Sequence, residues 1–227
     1  MTWLGIDTSD DVAVGLVRAN GAGAELADDT PRRHVEQLAP LVHELLTREG
    51  VATGDLEAVV VGTGPAPFTG LRVGLVTARV LGLALGVPVL GVPSLDALAA
   101  AAADHVEEGE TLLVVTDARR REVYWARYEV RDGVAVPVAG PDVAAPADVP
   151  RAPADVVLGA GRDLYPDVLG AADPRLASAP GLRSPSPIHL VRLAQQRSAA
   201  GQDLPSEPLY LRRPDAQPPT ARKRVLA

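Results

Sequence analysis

The sequence predicts an α/β fold built from two similar halves. Two β-hairpins carry this prediction, because each has a strand ending in an aspartate, a short turn and a returning strand; the aspartates are Asp7 and Asp117. Between the hairpins, a strand, a long apolar helix and a short strand form a βαβ unit, for which a right-handed crossover is expected. The repeated order of elements indicates an internal duplication.

The first half begins with a hairpin and continues into the βαβ unit. Its first helix is expected to start at Thr30-Pro31, a capping residue followed by proline, and to be kinked or delayed by Pro40. Thr69 and Ser94 are placed to cap the next two helices. The predicted elements are strands at residues 3–8, 12–17, 57–62 and 87–91, and helices at 30–50, 71–86 and 94–105.

The second half is expected to be smaller, with the boundary at residues 104–110. Residues 136–153 are rich in proline, alanine and aspartate and are predicted to form a loop or lid. The lobes are therefore expected at 1–106 and 107–213, followed by a mobile, partly basic tail at 214–227. The remaining predicted elements are strands at 111–116, 123–130 and 156–159, and helices at 163–169 and 188–198.

The composition indicates in which cellular compartment the protein is expected. Hydrophobic residues make up 47% of the 227 residues, but in short runs, so a membrane-spanning stretch of roughly 20 apolar residues is not expected. The first residues reach Asp7 without a basic leader or apolar signal core, so no export is expected. Cysteine is absent, which excludes disulfides and thiolate chemistry and suits the reducing cytoplasm. A cytoplasmic protein is expected.

Charge and single residue types exclude several classes of function. The net charge of −7 argues against binding of nucleic acid over a broad surface of the protein, so any RNA is expected to be bound by a partner. Lys223 is the only lysine, which excludes a Walker phosphate loop and a Schiff-base lysine in the folded body. No G-x-S-x-G elbow occurs, and the four histidines have no ligand spacing, so no metal site is expected.

The segment 62–74 is the most informative, because a strand ends, a Gly/Pro-rich loop turns sharply and a helix follows. Gly62, Gly64 and Thr69 could place backbone N–H groups around a phosphate at the helix N-terminus. The alternative is a tight turn whose glycines supply unusual backbone angles without a ligand. The residues alone leave both alternatives open.

Aspartates at the ends of the two hairpin strands are candidates for a nucleotide site. Asp7, with Thr8 and Ser9, could hold a hydrated magnesium ion, and Asp117 occupies the equivalent place in the second hairpin. The alternative is a turn closed by side-chain oxygens.

Small residues recur every fourth position in the long helix and form a stripe along one face: Gly74, Ala78, Gly82 and Gly86. Leucines flank the stripe at positions 71, 75, 81 and 85. Another backbone can approach closely there, and it belongs either to the chain's own sheet or to a helix of another subunit.

Two short basic clusters also leave alternatives open. Residues 119–121 are three consecutive arginines beside Asp117, and residues 222–224 form a similar group in the tail. Each is either a solvated surface or a contact for an acidic partner or an RNA backbone.

Several segments carry a family resemblance. Gly64-Pro65, residues 68–72 and Gly74 resemble the signature G-P-G-S-F-T-G-L-R-I-G of the TsaB (YeaZ) family, with Ala66-Pro67 in place of Gly-Ser. That change stiffens the turn and removes an N–H group, which weakens the case for phosphate binding. Residues 3–9, 33–38, 117–124 and 208–212 resemble four further family segments in the family's order.

This resemblance implies a duplicated actin-like (ASKHA, ribonuclease H-like) fold with a reduced second lobe. It implies a non-catalytic scaffold for TsaD, which forms threonylcarbamoyladenosine beside the anticodon of tRNAs reading ANN codons, with the ATPase TsaE as a further partner. ATP and metal are expected on those partners, because Ser94 and Leu98 stand where TsaD carries an H-x-x-x-H metal pair. A homodimer is the other assembly to be expected.

The resemblance also favours the interpretation that the small-residue stripe contacts another subunit. The predicted interface comprises Leu38, Leu41, Val42, Leu45, Leu71, Gly74, Leu75, Ala78, Leu81, Gly82 and Leu85, and the residual nucleotide site comprises Asp7, Thr8, Ser9, Gly62, Gly64, Thr69 and Asp117. The alternative function is a small-molecule kinase or ATP hydrolase of the same superfamily that uses Asp7, Asp117 and the loop.

Overall fold

The computed structural model describes residues 1–28, 34–176 and 182–212. The predicted helix start at Thr30-Pro31 and the tail at 214–227 lie outside the described residues. The strands are β1 (Thr2–Asp7), β2 (Val12–Arg18), β3 (Gly23–Asp28), β4 (Leu56–Gly62), β5 (Val89–Val92), β6 (Thr111–Asp117), β7 (Val123–Arg131), β8 (Val134–Ala144) and β9 (Val156–Leu158). The α-helices are α1 (His34–Arg48), α2 (Phe68–Leu85), α3 (Ser94–Ala103), α4 (Ala160–Leu164), α5 (Pro166–Leu169) and α6 (Pro187–Ala199).

The first sheet has five strands in the order β3-β2-β1-β4-β5. β1 pairs with β2 antiparallel and with β4 parallel, and β5 joins β4 in parallel across the α2 connection. β1 and β4 are central and nearly wholly buried, which explains their continuous apolar sequences. Helices α1 and α2 cover one face of this sheet, and α6 covers the other.

The second sheet repeats the first in shortened form. Its order is β8-β7-β6-β9, which matches β3-β2-β1-β4 and has no equivalent of β5. Asp7 and Asp117 each end the strand that pairs antiparallel with one neighbour and parallel with another. The duplication and the smaller second lobe predicted from the sequence are therefore confirmed.

Two strands were not predicted. β8 occupies the first half of residues 136–153, where a loop or lid was expected; its prolines are tolerated because β8 is an edge strand. β3 alternates between exposed and half-buried residues, a pattern hidden by its glycine, alanine and charged residues. Thus the two antiparallel edge strands were missed, whereas the central strands and the parallel edge strands β5 and β9 were found.

Two predicted helix caps are also corrected. The residue preceding α2 is Pro67 and that preceding α3 is Pro93, and neither helix has a side-chain cap. Thr69 lies inside α2, and the hydroxyl of Ser94 bonds elsewhere in the fold.

Two helices pack on the sheet of the other half of the chain. α6 follows the second sheet in sequence but packs on the first, where a Cβ at Gly5 would lie 2.5 Å from the carbonyl oxygen of Pro187. α3 follows the first sheet in sequence but contributes to the apolar cluster of the second. A boundary between residues 106 and 107 therefore separates the sheets but not their covering helices.

Residues 204–212, which we call the strap, run from the first lobe to the second. The backbone N–H of Gly91 donates to the carbonyl of Leu204 (2.9 Å), and that of Leu209 donates to the carbonyl of Thr63 (2.8 Å). At the far end, the guanidinium of Arg212 donates to the carbonyl of Ala118 (2.9 Å) in the second hairpin. The strap thus joins the edge of the first sheet to the tip of the second hairpin.

α2 has the length and hydropathy of a membrane span, with 18 residues and a mean hydropathy of 1.5, which differs from the expectation. Within the described part of the chain it is the one helix that reaches this limit. The core helix of a soluble protein passes the same test, and α2 carries Arg72 and Arg79 and buries one face on its own sheet. It is weak evidence for a membrane protein.

Candidate functional site

Asp7 lies at the end of β1 and is almost completely buried, with 1% of its surface exposed. Its carboxylate accepts hydrogen bonds from the Ser9 backbone N–H (2.8 Å), the Ser9 hydroxyl (2.5 Å) and the Ser94 hydroxyl (2.7 Å). Burial raises the pKa of Asp7 from 3.8 to about 6, partly offset by these donors. A Cβ at Gly62 would lie 1.9 Å from the carboxylate, so only glycine lets β4 approach this closely.

Thr8 fixes the start of α2 against the end of β1. Its hydroxyl donates to the carbonyl of Gly70 (2.8 Å) and accepts from the backbone N–H of Gly74 (3.2 Å). A Cβ at Gly74 would lie 2.4 Å from the Thr8 hydroxyl oxygen. The glycine at this position of the family signature is therefore required by packing inside the chain.

The signature loop is held in the same way at its other end. The backbone N–H of Gly64 donates to the Ser94 hydroxyl (3.2 Å), and the backbone N–H of Ser94 donates to the carbonyl of Gly64 (2.8 Å). These bonds account for the tight turn without a ligand, whereas phosphate binding stays a prediction.

The structure brings together five of the seven residues predicted for a residual nucleotide site: Asp7, Thr8, Ser9, Gly62 and Gly64. Thr69 is exposed in the first turn of α2. Asp117 lies in the second sheet, where its carboxylate accepts hydrogen bonds from the backbone N–H (2.7 Å) and the guanidinium (2.8 Å) of Arg119.

Ser94 and Leu98, which the family resemblance aligns with a metal pair of TsaD, have structural roles in this chain. Ser94 bonds to Asp7, and Leu98 is completely buried in the core of the second lobe. The bond between Ser94 and Asp7 could not be predicted from local sequence, because 87 residues separate the two side chains. Among the described residues, no group of three or more histidine, aspartate or glutamate side chains could hold a metal ion.

The predicted partner interface is wrong for the residues that are buried inside the chain. Eight of its residues lie in the core between the helices and the first sheet and offer no surface to a partner: Leu38, Val42, Leu45, Leu71, Gly74, Leu75, Ala78 and Gly82. A Cβ at Gly82 would lie 2.3 Å from a methyl group of Val89, so the small-residue stripe exists to seat α2 on its own sheet. Leu41, Leu81 and Leu85 are half-buried, and their contact with a partner stays a prediction.

A different row of α2 is exposed. Val76, Val80 and Leu83 are 59%, 59% and 86% exposed, and their spacing of four and three residues places them on one face of the helix. We call these three residues the α2 stripe. Beside it lies a surface depression of about 440 Å³ whose lining includes Thr69 and Thr77. The helical spacing of these three apolar residues is visible in the sequence, but the sequence alone does not show that this face of α2 is exposed.

The three arginines at the tip of the second hairpin are exposed, and each has a positive φ of 54° to 64°. Arg119 pairs with Asp117. The choice between a solvated tip and a contact surface stays open, and the basic group at residues 222–224 lies outside the described residues.

Two sheets of matching strand order, with an aspartate at the end of each first strand, define a duplicated α/β protein of the actin-like class. A family model described as TsaD, tRNA N6-adenosine threonylcarbamoyltransferase, matches residues 27–159. The chain belongs to the TsaB (YeaZ) family. The TsaB protein of Escherichia coli is 30% identical over 223 residues, which cover 93% of this chain and 95% of that protein.

Two further relatives extend over nearly the whole chain. A Mycobacterium tuberculosis protein described as uncharacterized is 44% identical over 224 residues, which cover 96% of this chain and 94% of that protein. The structure of YeaZ from Pseudomonas aeruginosa superposes with a TM-score of 0.76 at 30% identity, covering 92% of this chain and 99% of that one. The family resemblance found in the sequence is confirmed.

Proposed function

We propose that this chain is a non-catalytic scaffold subunit in the biosynthesis of tRNA threonylcarbamoyladenosine. It docks on TsaD in the cytoplasm, positions or stabilises that transferase, and helps to recruit TsaE and tRNA. ATP and metal bind to the partner subunits, and a homodimer is the alternative assembly. Membership of a family named for this pathway supports the proposal.

The α2 stripe is the observation that carries the docking role. Leu83 and the two valines are left partly in contact with water, and fully burying an exposed side chain of this kind contributes about 1.5–3 kcal/mol. A partner helix laid along the row recovers this contribution. Apolar, well-packed residues at the centre with polar residues around them are typical of stable subunit interfaces.

The closed surroundings of Asp7 support a role without catalysis by this chain. A carboxylate that serves magnesium and a nucleotide has to face an open cleft. Asp7 instead faces Gly62, Ser9 and Ser94 and is fully hydrogen-bonded inside the chain. A kinase or hydrolase acting alone would have to break these contacts before binding its metal.

Reconstitution tests the proposal directly. TsaD and TsaE of the same organism are combined with threonylcarbamoyl-adenylate and tRNA, with or without this chain, and modified adenosine is quantified by mass spectrometry. We expect modification only when the chain is present. Equal modification without it would contradict the scaffold role. Turnover of ATP by the purified chain, lost in Asp7→Asn, would instead support the enzyme alternative.

A further inference from the structure

The strap holds two arginines of α2. The Nε–H of Arg72 donates to the hydroxyl of Tyr210 (3.0 Å). The guanidinium of Arg79 donates to the carbonyl of Ser206 (2.5 Å) and to the carboxylate of Glu207 (3.0 Å). Seven residues separate the arginines, so they lie two helical turns apart on one face. The strap therefore fixes a row of cationic side chains on α2.

This row borders the α2 stripe. Val76 and Leu83 follow Arg72 and Arg79 by four residues each, which makes each valine or leucine the neighbour of an arginine on the helix surface. The surface thus has an apolar centre and a charged border, the arrangement found in protein interfaces.

Among the described residues, Arg72 has no acidic partner. Its guanidinium lies over the rings of Phe68 (5.4 Å) and Tyr210 (5.6 Å), which are themselves 4.9 Å apart. Within residues 1–28, 34–176 and 182–212, no carboxylate pairs with it, whereas Arg79 is paired with Glu207. A guanidinium stacked in this way keeps its terminal N–H groups for a carboxylate, which they bind in a bidentate manner.

We propose that Arg72, positioned by the strap, is a specificity-determining contact of the docking surface: the helix of TsaD that covers the α2 stripe carries a carboxylate that binds Arg72. The inference rests on the proposed function and refines it by naming the chemistry of the partner. Because stacking between Phe68 and Tyr210 already orders the side chain, little of its conformational freedom is lost on binding. The adjoining apolar residues favour a protein helix over a nucleic acid phosphate.

Binding kinetics test the inference with three variants and one control. Arg72→Gln, Arg72→Glu and Tyr210→Leu are compared with Arg48→Gln, which removes another exposed arginine of the N-terminal lobe, 3.7 Å from Glu44. Association and dissociation rates with immobilised TsaD are measured by surface plasmon resonance at low and high salt. Circular dichroism and thermal unfolding verify that each variant is folded, and Arg72→Gln carries the test if the charge reversal does not fold.

Arg72→Glu is expected to weaken binding by at least about tenfold, and Arg72→Gln to reduce the salt dependence of association. Tyr210→Leu is expected to accelerate dissociation about threefold or more, because Arg72 is no longer held in place. Arg48→Gln is expected to bind like the unmodified chain.

Failure of this inference differs from failure of the docking surface. If the Arg72 and Tyr210 variants bind like Arg48→Gln while Val76→Asp/Leu83→Asp loses binding, the role of Arg72 is overturned and the docking surface stands. If Val76→Asp/Leu83→Asp also binds normally, the docking surface itself is wrong.

Discussion

Replacing Asp7 by asparagine should make the protein more stable at neutral pH and change the way stability depends on pH. Asparagine has nearly the same shape, and its amide can still bond with the hydroxyls of Ser9 and Ser94. It differs from the aspartate in carrying no charge. The variant therefore isolates the free energy of keeping a buried charge at the end of β1.

The sign and size of the effect follow from the pKa of Asp7. Because burial raises this pKa from 3.8 to about 6, the folded chain holds a proton that the unfolded chain releases in this range. The resulting stabilisation is complete below the unfolded pKa and is lost as the pH rises through about 6. The loss amounts to about 3 kcal/mol, and Asp7→Asn should not show it.

Urea unfolding of both proteins between about pH 4 and pH 8 measures the effect. The free energy of unfolding of Asp7→Asn minus that of the unmodified chain should rise with pH by up to about 3 kcal/mol. His189, whose pKa is lowered by burial, acts in the opposite direction but cancels in the difference. Asp163→Asn, at an exposed residue of α4, serves as the control. A difference that does not change with pH would refute the reasoning.

Two further substitutions test packing elsewhere. Gly74→Ala should lower the free energy of unfolding by about 1–3 kcal/mol, because its Cβ would meet the Thr8 hydroxyl, whereas Gly54→Ala, in open space, should change it by less than about 0.5 kcal/mol. Adding Thr8→Ala should reduce the cost of Gly74→Ala, and strictly additive effects would contradict the contact. Tyr128→Phe should lower the free energy of unfolding in urea by about 1–2 kcal/mol, since it removes a partly buried hydrogen bond of 2.7 Å to Asp96; an unchanged stability would be inconsistent with that bond.

The central part of the fold could be predicted because its signals are local. β1 and β6 are apolar runs that end in Asp7 and Asp117, and the long apolar helix between two short strands specifies a βαβ unit. The antiparallel edge strands β3 and β8 could not be found in this way; β8, for example, contains prolines that normally indicate a loop. Pairing with β7, not the local sequence, determines its conformation.

The site depends more strongly on contacts distant in sequence. Small residues every four positions can seat a helix on a sheet or against another subunit, and only the position of Thr8 and Val89 decides that Gly74 and Gly82 serve the sheet. Likewise, the hydrogen bond between Ser94 and Asp7 and the hydrogen bonds between the strap and the arginines of α2 join residues far apart in the chain. No pattern within one segment could have revealed them.

The most direct test of the account is the affinity of this chain for TsaD of the same organism, measured by isothermal titration calorimetry. We predict that Val76→Asp/Leu83→Asp weakens binding by at least about a hundredfold, because charges would be placed in the apolar centre of the interface. Leu164→Asp, at an exposed leucine of α4, should bind like the unmodified chain. Equal affinity of the folded stripe variant and the unmodified chain would contradict the account.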